Sequence, residues 1–188
     1  MRWYLKYDNI DEHPPESATN EEEIEMLANI EKVEKGYIAR FERHLNHSIE
    51  QVWSMLTENE KLSQWFTELR VDELRKGGFY KFDMQDGTFE ELAIIELKMN
   101  TLLEFMWSGK DTVRFELGQE SDGCRLVLIE TIETLTDHTP RDLAGWHVCL
   151  EVIIALLDGR TTNFRKEEWK KWYEKYILAI EKVAENQK

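Results

Sequence analysis

The chain has few of the features that announce a chemistry. Only two of its 188 residues are cysteine, Cys124 and Cys149. They form no CxxC pair and no cluster with histidine, so the usual zinc and redox motifs are missing. His44 and His47 gain no third ligand, and neither a metal nor a cofactor is expected. Basic residues number 24 against 38 acidic ones, a net charge of −14. A surface that acidic repels phosphate backbones and anionic bilayers, and no basic stripe offsets it, so no nucleic-acid or membrane partner is expected. No apolar run approaches the roughly 20 residues of a membrane span. The opening "MRWYLKYDNIDEHPPES" lacks the continuous apolar core of a signal peptide. The expectation is therefore the reducing cytoplasm, with both thiols free and buried. Gly77-Gly78 has no phosphate-loop context. Ser48, Ser54, Ser63, Ser108 and Ser121 lie in no nucleophile elbow. Internal repeats and low-complexity tracts are absent too.

What the chain does have is apolar bulk. Hydrophobic residues make up 41%, with seven Trp, eight Phe and six Tyr. That suits one globular domain with extensions, and a sizeable core.

Along the chain, residues 1–19 read as an arm with no clear period. "NEEEIEMLANIEKVEKG" then predicts an amphipathic helix over 20–35. Asn20 caps it, Glu23 takes the capping-box position, Ile24, Leu27, Ile30 and Val33 form a stripe, and Gly36 ends it. "YIARFERHL" alternates as a half-buried strand, Tyr37, Ala39, Phe41 and Leu45 against Arg40, Glu42 and His44. "SIEQVWSMLTENEKLSQWF" predicts a helix capped by Ser48 and Gln51, then a short helical turn. Five segments from "GGFYKFDM" to "CRLVLIETIE" read as strands, separated by "QDG", "SGK" and "QESDG". Such short gaps imply an antiparallel meander of five or six strands. Thr139-Pro140 opens a long helix, with Pro at the tolerated first position. Past Gly159 one more helix carries Trp169, Trp172, Tyr173, Tyr176, Ile177 and Ile180 on its apolar face. The fold class is thus α+β.

The order and spacing of "HLNHSIEQVWSMLTENEKLSQWF", "GGFYKFDMQDGT", "LLEFMW", "SDGCRLVLIET" and "AGWHVCLEVIIALLDG" resemble the START-like helix-grip proteins. More closely they resemble the bacterial family named after the activator of the heat-shock chaperone ATPase. The resemblance covers roughly residues 37–159. It implies a curved antiparallel sheet wrapped around the long C-terminal helix, with an apolar cavity between them. Residues 1–36, an arm and helix, and 160–188, a helical extension, fall outside it. Those extra helices at the two termini would pack on the domain or on a second subunit, as in a homodimer.

On that frame Trp53, Trp65, Phe66, Tyr80, Phe82, Phe105, Trp107, Trp146 and Leu150 would line the cavity, or simply fill the core. Glu130 shares a strand face with Cys124, Leu126, Leu128 and Ile132. Inside, it is a candidate ligand anchor or general base; at the strand end it reaches water instead. Glu91 and Glu104 alternate with Leu92, Leu103 and Phe105 and should point outward. On the long helix, His147, Glu151 and Asp158 share a narrow sector at about 100° per residue. That sector is expected to be the wet edge, the other reading being a proton-handling pair. Trp146, Leu150, Ile153 and Leu157 should face the sheet. Val148, Val152 and Ile154 then need a cover, which the terminal helices or a second subunit would supply.

The favoured function is binding of a small hydrophobic molecule. A protein-interaction role stimulating a chaperone ATPase and a hydrolase or cyclase using Glu130 are the alternatives.

Overall fold

Alternation in the strands and a capping box at the first helix set the local structure. The computed structural model describes residues 26–161 and 165–185. In chain order the elements are β1 (Asn29–Val33), β2 (Gly36–Leu45), α1 (Ile49–Thr57), α2 (Asn59–Trp65), β3 (Leu69–Val71) and β4 (Phe79–Asp83). Then follow β5 (Phe89–Lys98), β6 (Leu102–Ser108), β7 (Asp111–Glu120), β8 (Gly123–Ile132), α3 (Thr139–Leu157) and α4 (Arg165–Glu185). The eight strands form one antiparallel sheet in the order β1-β2-β8-β7-β6-β5-β4-β3. The sheet curves around α3, the helix-grip arrangement.

The capping box forms as the spacing predicts. The Ser48 hydroxyl accepts from the Gln51 amide at 3.3 Å, and the Gln51 side chain accepts from the Ser48 amide at 2.9 Å. Two long-range bonds then pin the helix pair. Trp65 Nε1 donates to the Met55 carbonyl within the pair at 2.7 Å. The Tyr80 hydroxyl donates from β4 to the Leu56 carbonyl at 2.9 Å. Each bond satisfies a buried polar group that would otherwise be costly.

The helix expected over 20–35 is corrected. Residues 29–33 form the edge strand β1, with Ile30 opposite Ala39 and Val33 opposite Gly36. Apolar residues three apart fit a helix stripe, but pairing to β2 satisfies this segment's backbone along the sheet edge. Gly36 is a hairpin residue rather than a helix end. Its φ is +95°, and a Cβ there would stand 2.1 Å from the Ile132 carbonyl oxygen. Residues 20–25, including the Asn20 cap, Glu23 and Ile24, lie outside the described residues, as does the arm before them. In the "QDG" hairpin the positive φ values fall on Gln85 and Gly87. Asp86 instead accepts from the Thr88 amide and hydroxyl.

The long helix α3 lies in the middle of the molecule. Its Leu143–Leu150 run is buried throughout, and so are Val152 and Ile153. The sheet covers one side, and α4 covers another with Trp169, Trp172 and Tyr176, all buried. The cover for Val148 and Val152 is therefore supplied within this chain. Among the described residues no helix is long and apolar enough to cross a membrane.

Candidate functional site

Between the sheet and α3 the aromatic residues gather into one cluster. Phe66, just past α2, is its hub. Its ring lies 5.8 Å from Trp65, 5.9 Å from Phe82, 5.9 Å from Trp107 and 6.0 Å from Trp146, centroid to centroid. Trp107 and Trp146 are 4.7 Å apart. Phe105 links this group to Tyr80 at 4.9 Å. Most of these pairs are tilted or edge-to-face, the arrangement aromatic quadrupoles prefer. Leu150 is buried alongside on α3. Trp53 is buried on α1, but no ring contact joins it to the cluster among the described residues.

Glu130 is the polar exception in this interior. On β8 its register neighbours are Ala39 of β2 and Val113 of β7. Both are small or short, so the carboxyl rises between low walls toward α3. The residue is 2% exposed. Its Oε2 has no hydrogen-bond partner among the described residues. Burial first, and then the negative charges of Asp142 and Asp111, push its pKa well above the ordinary carboxylate value. The group is held toward its neutral, protonated form, with one hydroxyl to donate. Glu104 stays on the outer face with Arg114, and Glu91 is exposed.

Asp111 and Asp142 complete the surroundings. Asp111 begins β7 on the same face as Val113, Phe115 and Leu117, and its Oδ1 accepts from the Glu133 amide at 2.8 Å. Its pKa is also raised, first by burial. Asp142 lies in the first turn of α3, where the helix dipole favours a negative charge. Strand parity could have flagged Asp111; nothing local flagged Asp142.

A second buried polar group lies on the other side of α3, where the wet edge was expected. His147 is fully buried, which overturns that expectation. Its ring stacks on Trp172 of α4 at 3.6 Å between centroids. Tyr176 Oη accepts the Ala28 amide proton at 3.0 Å and lies 2.9 Å from His147 Nδ1. The Ala28 bond uses an acceptor lone pair and leaves the hydroxyl proton free to serve Nδ1 in the tautomer that carries its proton on Nε2. Nε2 lies 3.2 Å from Glu151 Oε1. This last contact falls short of a well-aligned hydrogen bond. Burial lowers the His147 pKa, and the Glu151 carboxylate only partly opposes that. The sector faces α4 because Trp172 and Tyr176 occupy the place of solvent. Asp158, at the far end of the sector, does reach the surface and pairs with His47 at 2.7 Å. Arg43 is also buried here, donating to the Met26 and Glu42 carbonyls. Its odd-numbered parity with Ala39 and Phe41 was the signal for an inward position.

The family described as "Activator of Hsp90 ATPase homolog 1-like protein" matches residues 46–158. Among solved structures, a conserved protein of unknown function from Enterococcus faecalis, EF2215, superposes with a TM-score of 0.75 at 23% identity. The match covers 83% of this chain and 91% of that one. The BPP1335 protein of Bordetella parapertussis gives 0.63 at 20% identity, covering 88% and 94%. CalU16 of Micromonospora echinospora gives 0.60 at 19%, covering 79% and 92%. At these identities the likeness is one of fold. No curated protein matches the chain in sequence.

Proposed function

This chain belongs to the Activator of Hsp90 ATPase homolog 1-like family, and on that premise we propose that it binds a small hydrophobic molecule between the sheet and α3, with Glu130 as the polar anchor. One observation carries the reading. A carboxyl group stands in an aromatic interior, 2% exposed, with an oxygen that no described residue serves. A chain that only needed a core would place an apolar side chain there, because an unserved buried polar group costs about 1–3 kcal/mol. Residues that break the packing rules cluster at functional sites. Trp107, Trp146, Phe105 and Phe66 supply the apolar walls. Tyr80, Phe82, Trp65, Trp53 and Leu150 back them. The walls touch one another, so entry of a ligand requires these rings to turn or part.

A protein-interaction role through α3 has less support. The apolar face of α3 that a partner would use is covered by α4 of the same chain. A second reading, proton transfer to a hydrophobic substrate, is favoured by the same carboxyl, since a general acid needs burial and a raised pKa.

The test is native mass spectrometry of the protein purified from its own host, compared with the denatured protein. A small molecule that travels with the folded chain and is lost on denaturation is the expected result. Bare protein in both spectra, and no small molecule in the solvent extract, contradicts the proposal.

A further inference from the structure

The side of α3 that faces α4 is held by a short chain of polar contacts. The His147 ring lies between two aromatic rings. It stacks on Trp172 of α4 at 3.6 Å and meets Phe41 of β2 edge-to-face at 6.2 Å, centroid to centroid. Tyr176, one turn beyond Trp172, brings its hydroxyl to 2.9 Å from Nδ1 of the same ring. That oxygen also accepts the amide proton of Ala28, just before β1, at 3.0 Å. Among the described residues the hydroxyl has no further hydrogen-bond partner. The segment before β1 is held a second time, where Arg43 of β2 donates to the Met26 carbonyl at 3.0 Å. Three charged groups surround the imidazole among the described residues. Glu151, one turn along α3, stands 3.2 Å from Nε2. Arg43 follows Phe41 on the inner face of β2. Lys175 of α4 lies over the Trp172 ring, 5.1 Å from its centroid.

The tautomer with its proton on Nε2 suits both ends of the ring. A lone pair on Nε2 would face the Glu151 carboxylate, whereas Nδ1 is then free to accept the phenol proton. From this arrangement we infer that His147 and Tyr176 form a proton-operated latch: a second proton on the ring turns Nδ1 from acceptor to donor, and α4 lifts from α3. The incoming proton goes to Nδ1, because Nε2 already carries one. Nδ1–H and the phenol O–H then point at each other, and the phenol has no other acceptor among the described residues. The imidazolium also carries its charge into an aromatic slot near Arg43 and Lys175, with Glu151 in its favour. Burial is the first cause that lowers the ring's pKa, so the closed form prefers the neutral ring. With α4 lifted, the ring regains water and its ordinary value of 6.5. Protonation therefore favours the open form. The balance is insensitive to pH above 6.5 and shifts toward opening by up to about tenfold per pH unit below it. The Arg43 guanidinium keeps its charge throughout this range, so Met26 stays on β2. The Tyr176 hydroxyl leaves with α4, and the Ala28 amide loses its acceptor in the same event. The latch is independent of the ligand-binding reading above.

The test is amide hydrogen exchange of the full chain, followed by NMR at about pH 7.5 and about pH 5.5 and corrected for intrinsic rates. Between the two, the amides of α4 around Tyr176 and the amide of Ala28 are expected to open about tenfold more often, in step with each other. The amides of β6 and β7 should keep their protection. The His147 ring, read in the same samples by its ¹³Cε1 shift, should titrate below 6.5. His147→Asn places an amide oxygen near the position of Nδ1 and takes up no proton. Its α4 should be held less well than in wild type, but equally at both pH values. If that variant does not fold, the wild type decides: equal shifts at Ala28 and α4 above a steady sheet support the latch. Four results overturn it: α4 protection that is the same at both pH values, a fall shared by β6 and β7, an Ala28 amide that stays closed while α4 opens, or the wild-type fall repeated in folded His147→Asn.

Discussion

Replacing Glu130 with methionine should make the protein more stable. The perturbation is close to volume-conserving and removes a buried acidic group from the interior. Among the described residues Oε2 has no donor in a buried site, a penalty of about 1–3 kcal/mol. It also places the carboxyl in the field of two more acids, which opposes ionisation. Methionine is flexible and fits irregular gaps, so repacking beside Ala39 and Val113 should return less than about 1.5 kcal/mol of that gain. The net stabilisation expected is therefore about 1–2 kcal/mol. For a chain of this size each kcal/mol raises Tm by about 2–4 °C. The assay is urea unfolding followed by tryptophan fluorescence, with thermal melting beside it. The pH dependence sharpens it. A carboxyl whose pKa is raised on folding contributes stability below its unfolded pKa and loses it as pH rises through the folded value. The advantage of the variant should thus grow from about pH 4.5 upward and shrink in acid to the part that the unserved oxygen costs. A variant at least 1 kcal/mol less stable than wild type at neutral pH would refute the reasoning. It would show that the carboxyl is bonded into the structure rather than held there at a cost.

Other consequences follow from the second polar group and the turns. The His147 pKa is lowered on folding, so its contribution is present above the unfolded value near 6.5 and lost as pH falls below it. Acid should therefore loosen α4 first, seen as earlier deuterium exchange in 165–185 than in the sheet. Tyr176→Phe strips the Ala28 amide and His147 of their partner and should cost about 1–3 kcal/mol in urea melts. Trp146→Ala opens the centre of the ring cluster and should cost about 3–5 kcal/mol by the same assay. At Gly123, φ is +144° and an added Cβ would stand 1.9 Å from the Leu45 carbonyl oxygen. Gly123→Ala should force β2 and β8 apart at that end and lower Tm by more than 5 °C, on the scale of about 2 kcal/mol or more.

Much of this was legible because strand parity is a local property. Alternation alone set Ala39, Phe41, Leu126 and Leu128 on the inner face and left Glu130 either there or at a wet strand end; the register and burial put it inside. Capping at Ser48 was equally local. The failures were non-local. Ile30 and Val33 sit three apart in either a helix or a strand, and only pairing with Ala39 and Gly36 decides between them. His147 was placed in the sector of α3 that Glu151 shares, where Trp172 stacks on it and Phe41 of β2 meets its edge. That side was read as wet because the sequence does not say where Trp172, some 25 residues on, will lie. Asp142 and Glu130 are likewise distant in sequence and meet only when α3 closes over the sheet. The ring cluster was legible as residue types, but the contacts that make Phe66 its hub were not.

The account turns on the state of one carboxyl. Protein labelled with ¹³C in its glutamate side chains reports the Glu130 δ-carbon directly, assigned by its absence in the Glu130→Gln variant. The prediction is a protonated-acid shift that persists to a pH well above that at which the surface glutamates ionise. A δ-carbon that titrates near 4.5 like those of the surface glutamates would contradict the account.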